Sequence, residues 1–76
     1  LKAVKEVIKM FRVDAKKIRG LMFSQKINIS ELAQKAKLQM SSVSRLMTDG
    51  ATATAKTVGK IADALNCDGE ELILKH

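Results

Sequence analysis

From Gln39 to Arg45 the sequence reads QMSSVSR: hydroxyls at Ser41, Ser42 and Ser44, an amide at Gln39, a thioether at Met40 and a guanidinium at Arg45. If Val43 and Leu46 turn inward at helical spacing, these six side chains are left facing outward. Hydroxyls and amides both donate and accept hydrogen bonds, and the guanidinium adds a planar fork of donors. No acidic residue falls in the segment. A phosphate-lined groove accepts such a face, whereas ordinary solvated helix surfaces usually mix Glu with Lys.

Other reactive residue types do not assemble into a site. His76 is the single histidine and stands at the C-terminus, where it is a poor catalytic candidate or the remnant of a tag. No serine has a histidine nearby in sequence, no glycine-rich loop can cradle a phosphate, and most carboxylates are accounted for as helix caps or solvent-facing charges. An enzyme is therefore not expected, and no cofactor or small-molecule ligand is implied. Cys67 is the single cysteine, which excludes an intrachain disulfide, and no Cys/His cluster has metal-ligand spacing. With no apolar run long enough to span a bilayer and no signal-peptide pattern at the start, a cytoplasmic setting is expected.

The elements that must hold the Gln39–Arg45 face are short helices. Seventy-six residues with 46% hydrophobic content supply one core, and with Phe11 and Phe23 the only aromatics it is built from Leu, Ile, Val, Ala and Met. Asp14 caps a helix running to about Gln25, with Ile18, Leu21, Met22 and Gln25 on one side. Asn28 with Glu31 three residues on forms a capping box, and Ile27 with Leu32 a hydrophobic staple, opening a helix from Ile29 to Ala36. Met40 begins the next, expected to reach about Thr48 and to stop at Asp49 and Gly50.

Residues 50–54, all Gly, Ala and Thr, read as a loop too small to anchor a core. Thr54 then caps a helix from Ala55 to Leu65, with Asn66 as a left-handed stop. Asp68 and Glu71 form a second capping box, with Cys67 and Leu72 as its staple, for a last helix to about Leu74. Gly20 and Gly59 inside helices suggest close helix packing. The fold class expected is all-α, a compact bundle of five short helices.

Residues 1–13 read as an N-terminal extension ahead of a domain over residues 14–76. Leu1, Val4, Ile8 and Phe11 recur at helical spacing, which suggests an extra amphipathic helix to about Met10. The alternative is that Met10 is a natural start codon and the first nine residues are vector-derived.

Fourteen Lys and Arg against eight Asp and Glu give a net charge of +6. That excess fits an anionic partner and equally fits simple solubility, so charge alone decides nothing. Lys16, Lys17, Lys26, Lys35, Lys37, Lys56 and Lys60 can supply nonspecific attraction to phosphates, and for those distant from the Gln39–Arg45 face a plain solvated lysine is the better reading.

Two short capped helices separated by about three residues, sharing Leu32, Ala33, Ala36, Leu38, Val43 and Leu46, have helix-turn-helix spacing. INISELAQKAKLQMSSVSRLMTDG, with Leu32-Ala33, the β-branched Val43 and Arg45-Leu46, resembles the motif of the lambda-repressor-like, Cro-type domains of bacterial and phage regulators. KIADALNCDGEELI resembles their fourth and fifth helices, so the likeness covers residues 14 to about 74.

The resemblance implies a transcriptional regulator that binds double-stranded DNA with residues 40 to about 48 in the major groove, as a homodimer on half-sites about 34 Å apart. By position it places Gln39, Met40, Ser41 and Arg45 toward base edges and Ser42 and Ser44 near the groove wall or backbone. It sets Asn28 and the loop from Thr48 through Thr52 to Thr54 against phosphates; of the lysines, Lys35, Lys37 and Lys56 flank this surface most closely. Arg45 would form a fork to guanine unless it is tied to Asp49 one turn on.

The chain departs from the family pattern in three places. Ile29 stands where many members carry Gln, so one backbone contact is lost. Lys37 stands at a turn position often held by Gly, and Met22 and Met47 replace an Arg and a Glu that pair in some relatives. The dimer seam would use Ile73 and Leu74, or the N-terminal apolar set, unless either completes the monomer core. A protein-interaction adaptor or antitoxin-type module on the same fold is the alternative function.

Overall fold

The computed structural model describes residues 9–74. The element order is β1 (Met10–Arg12), α1 (Ala15–Gln25), α2 (Ile29–Ala36), α3 (Met40–Arg45), β2 (Thr52–Thr54), α4 (Ala55–Leu65) and a 3-10 turn (Gly69–Leu72). Among the described residues, four α-helices and a two-stranded sheet thus replace the five helices expected.

The helix starts follow the caps. The Asp14 side chain accepts from the Lys17 amide at 3.1 Å. Asn28 Oδ1 accepts from the Glu31 amide at 2.8 Å while Glu31 Oε1 accepts from the Asn28 amide at 3.0 Å, closing the expected capping box. The Thr54 hydroxyl accepts from the Thr57 amide.

α1, α2 and α4 also end alike. Lys26, Lys37 and Asn66 are left-handed, with φ of 59°, 58° and 60°. The next amide in each case reaches back five residues: Ile27 to the Met22 carbonyl, Leu38 to Ala33 and Cys67 to Ala62. Each is the paired-bond helix stop that glycine usually occupies, here made by residues that carry a Cβ.

Five expectations need correction. Phe11, grouped with an N-terminal helix, lies with Met10 and Arg12 in a strand; the rest of that proposed helix, residues 1–8, is outside the described residues. β1 pairs antiparallel with β2 in the register Met10 to Thr54, Phe11 to Ala53 and Arg12 to Thr52. The stretch read as a loop therefore contributes β2, and Ala53 is buried because its small side chain fits under the sheet.

α3 ends at Arg45, not Thr48, because the amides of Leu46, Met47 and Thr48 bond three residues back and tighten the chain around the buried Leu46. The last helix is a 3-10 turn without a side-chain cap from Asp68; Glu71 instead faces Lys17 at 3.8 Å. At Gly20 and Gly59 an added Cβ meets nothing within 4 Å, so close packing does not explain either glycine.

The core runs through every element after β1. Val13, Ile18, Leu32, Val43, Ile61, Leu65 and Leu72 are its largest fully buried side chains, and no polar or charged residue is buried among the described residues. Removing that much apolar surface from water drives folding, at roughly 1.5–3 kcal/mol for each large side chain. The segment from Met10 to Asp14 threads between two others. Val13 donates to the Ala51 carbonyl at 2.9 Å on one side, while on the other Asp14 donates to Leu72 and Leu74 donates to Arg12. Ile73, offered above as a dimer seam, bridges to Val13 and packs on the core.

Candidate nucleic-acid interface

Lys37, Leu38 and Gln39 form the whole connection between α2 and α3. α2 presents Leu32, Ala33 and Ala36 to the core, and α3 answers with Val43, at 0% exposure. Ala33 is small enough for the two helices to approach, and Val43 is a stiff plug with one preferred rotamer. With Val43 and Leu46 pinned, the rest of α3 has to face outward.

That is what the side chains do. Gln39, Met40, Ser41, Ser44 and Arg45 are exposed, and Ser42 is half-buried. Gln39 makes no side-chain cap to α3. Arg45 makes no ion pair with Asp49 among the described residues, which removes the competing explanation for its charge.

The site residues fall into separate groups. Ser42, Arg45 and Thr52 line one hollow together with Met10, Thr54 and Thr57. Arg45 and Thr52 also line an adjoining one with Thr48, Asp49 and Gly50. The Thr48 hydroxyl is turned back onto the Arg45 carbonyl at 2.8 Å. Lys37, at the left-handed turn, and Lys56, in the first turn of α4, are exposed and line neither hollow.

Asn28 stands apart from Arg45. Its side-chain oxygen and main-chain amide are both committed to Glu31, and the Glu31 carboxylate already occupies the start of α2. A phosphate approaching there meets that negative charge, which weakens the contact the sequence suggested.

Asn28 instead borders an apolar groove of about 650 Å³ lined by Met22, Phe23, Ile27, Ile29, Met40 and Met47. Met22 and Met47 share this groove, as the replacement of an ionic pair by an apolar one implies. A polar link survives nearby: the Arg19 guanidinium donates to the Met47 carbonyl. Sequence reasoning missed Arg19, and missed Met10 and Thr57, whose place beside Arg45 depends on a strand too short to announce itself.

The remaining reactive group offers no chemistry here. Burial, and then the neighbouring Glu71 and Asp68 carboxylates, push the Cys67 thiol up from its usual value against a smaller opposing pull from Lys17. It is therefore a neutral thiol and a poor nucleophile at neutral pH. Among the described residues no cluster of His, Cys, Asp and Glu can hold a metal ion, and no helix is long and apolar enough to cross a membrane.

Two short helices joined by a three-residue turn, the second held by its apolar face and presenting a polar one, define a helix-turn-helix domain. The chain belongs to the Cro/C1-type helix-turn-helix DNA-binding domain family, whose model matches residues 17–74. It is a DNA-binding domain of the regulator type.

Among solved structures the chain is similar to PhpD with cadmium complexed with hydroethylphosphonate, at a TM-score of 0.72. It is likewise similar to native PhpD with cadmium atoms, at 0.71. Each match has 22% identity and covers 84% of this chain but 14% of PhpD, so the chain spans a small part of that protein and the likeness shows the fold alone. No curated protein matches the sequence.

Proposed function

We propose that the chain binds double-stranded DNA sequence-specifically, as the reading domain of a bacterial or phage-type transcriptional regulator such as a repressor, with α3 in the major groove. One observation carries the reading: Val43 and Leu46 are buried at 0% and 3% exposure while Gln39, Ser41, Ser44 and Arg45 stay exposed on the same short helix. A rigid scaffold that presents hydrogen-bonding groups and no acid on α3 suits base edges between phosphates. The net charge of +6 supplies long-range attraction.

In this reading Gln39, Met40, Ser41 and Arg45 meet base edges, Ser42 and Ser44 the groove wall. Thr48, Thr52, Lys37 and Lys56 meet the phosphate backbone, and Asn28 contributes at most through its side-chain nitrogen Nδ2. The regulator works in the cytoplasm and pairs as a homodimer, with exposed Leu74 on the seam. The folded unit takes in β1 and the buried Val13 ahead of residue 14, and it performs no catalysis.

A gel-shift titration against mixed duplexes tests this. Affinity that falls steeply as salt rises supports it, because contacts to phosphate release counterions. Absence of binding at low salt favours the second reading, a protein-interaction or antitoxin-type module. Phe23, 87% exposed beside the apolar groove, is the observation behind that alternative.

A further inference from the structure

Met40 is the apolar exception on a polar face. Its neighbours Gln39, Ser41, Ser42, Ser44 and Arg45 all form hydrogen bonds readily, whereas its thioether is at best a weak acceptor. The other apolar residues that follow in the motif are withdrawn: Val43 and Leu46 are buried and Met47 is half-buried, packed against the core. Met40 is 56% exposed at the first position of α3, where the core does not need it.

One wall of its side chain borders the groove that holds Met22, Met47 and Ile29. The other wall is open. An unbranched thioether with three rotatable bonds can lean on that apolar floor while its methyl end adapts to a contact in front of it. In the major groove of a duplex the prominent apolar feature is the C5-methyl group of thymine, set among the N7, O6, O4, N4 and N6 groups that donate or accept hydrogen bonds.

We infer that Met40 is a specificity-determining residue that reads a pyrimidine C5-methyl group, a thymine or a 5-methylcytosine, through contact with its exposed thioether. The inference rests on the proposal that α3 enters the major groove, and it adds the class of base that the first residue of the helix selects. Ile29 beside the same groove extends the apolar surface and brings no competing hydrogen bond.

The experiment has two stages, so that the two readings fail separately. Sites are first selected from random duplex by the full chain; if no sequence is enriched, the proposed function fails before Met40 is tested. In the enriched site each thymine is then replaced singly by uracil, which removes the methyl and keeps the pairing.

At one position the substitution should weaken wild-type binding about fourfold, the effect of one buried methyl group. Met40→Ala should bind the thymine and uracil duplexes equally at that position. A 5-methylcytosine placed in the enriched site, compared with cytosine at the same position, distinguishes the two sources of the methyl group. The inference is overturned if no thymine in the site is sensitive to loss of its methyl, if the enriched site holds no thymine and methylation of its cytosines changes nothing, or if Met40→Ala keeps the wild-type sensitivity.

Discussion

The Arg19 guanidinium donates to the main-chain oxygen of Met47, joining α1 to the turn that ends α3 across 28 residues of sequence. The carbonyls at the end of a helix lack partners within it, and a cation there meets both the open oxygen and the negative end of the helix dipole. Arg19 thereby ties α1 to the turn that follows α3, next to the apolar pair Met22 and Met47. Arg19→Gln should lower stability by about 1 kcal/mol in urea titration, the usual size of one such hydrogen bond at a surface. DNA affinity should fall with an unchanged dependence on salt. A salt slope lower by about one unit would mean that Arg19 touches phosphate rather than protein.

Lys26 and Lys37 hold left-handed backbone that costs a residue with a Cβ roughly 1–2 kcal/mol, partly offset because glycine loses about 0.5–1 kcal/mol more chain entropy on folding. Lys26→Gly and Lys37→Gly should each raise stability by about 0.5–1 kcal/mol, read as a later denaturation midpoint. Their effects on DNA should differ. Lys37 lies in the turn before α3, so its glycine variant should be more stable and yet bind a duplex less tightly, with a shallower salt dependence. If Lys37→Gly left binding untouched, the lysine would be no part of the interface.

Helix boundaries were legible where a capping residue is unambiguous. Asn28 with Glu31 set the start of α2, and Thr54 and Asn66 set both ends of α4, because each side chain or backbone preference acts within four residues. β1 was not legible. Three residues are too few to show an alternating pattern, and what makes Met10–Arg12 a strand is pairing with Thr52–Thr54, a contact no local signal reports. α3 ran short for a related reason: Leu46 turns the chain to reach the core, and helix propensity is silent about that. The exposed face of α3 was readable from Val43 and Leu46, whereas the hollow joining Arg45 to Met10 and Thr57 required the unseen sheet.

The buried Val13 separates two views of where the folded unit begins. It is 2% exposed, donates to Ala51 and bridges to Ile73. A chain starting at residue 14 loses that side chain, worth roughly 1.5–3 kcal/mol, together with the pairing of β1. In so small a domain, where net stability is often about 5 kcal/mol, thermal melting should shift down by many degrees or lose cooperativity. A chain starting at residue 10 should melt close to the full chain. Equal melting of both truncations would mean that β1 adds nothing and that the domain begins at Asp14.

Arg45 is the most informative single test of the interface. It is exposed, unpaired with Asp49, and shares its hollows with Ser42, Thr48 and Thr52. A guanidinium aimed at a base edge forms two parallel hydrogen bonds to guanine, worth about 1–3 kcal/mol against the wrong base, whereas one aimed at phosphate contributes equally on every sequence. Arg45→Ala should therefore weaken binding to a selected site by that amount and barely change binding to random duplex, with the melting temperature preserved because its side chain lies outside the core. Arg45→Lys keeps the charge and loses the fork, so it should restore the nonspecific component without restoring discrimination. Equal losses for Arg45→Ala on cognate and random duplex, recovered by Arg45→Lys, would assign Arg45 to the phosphate backbone and leave base reading to Gln39, Met40 and Ser41.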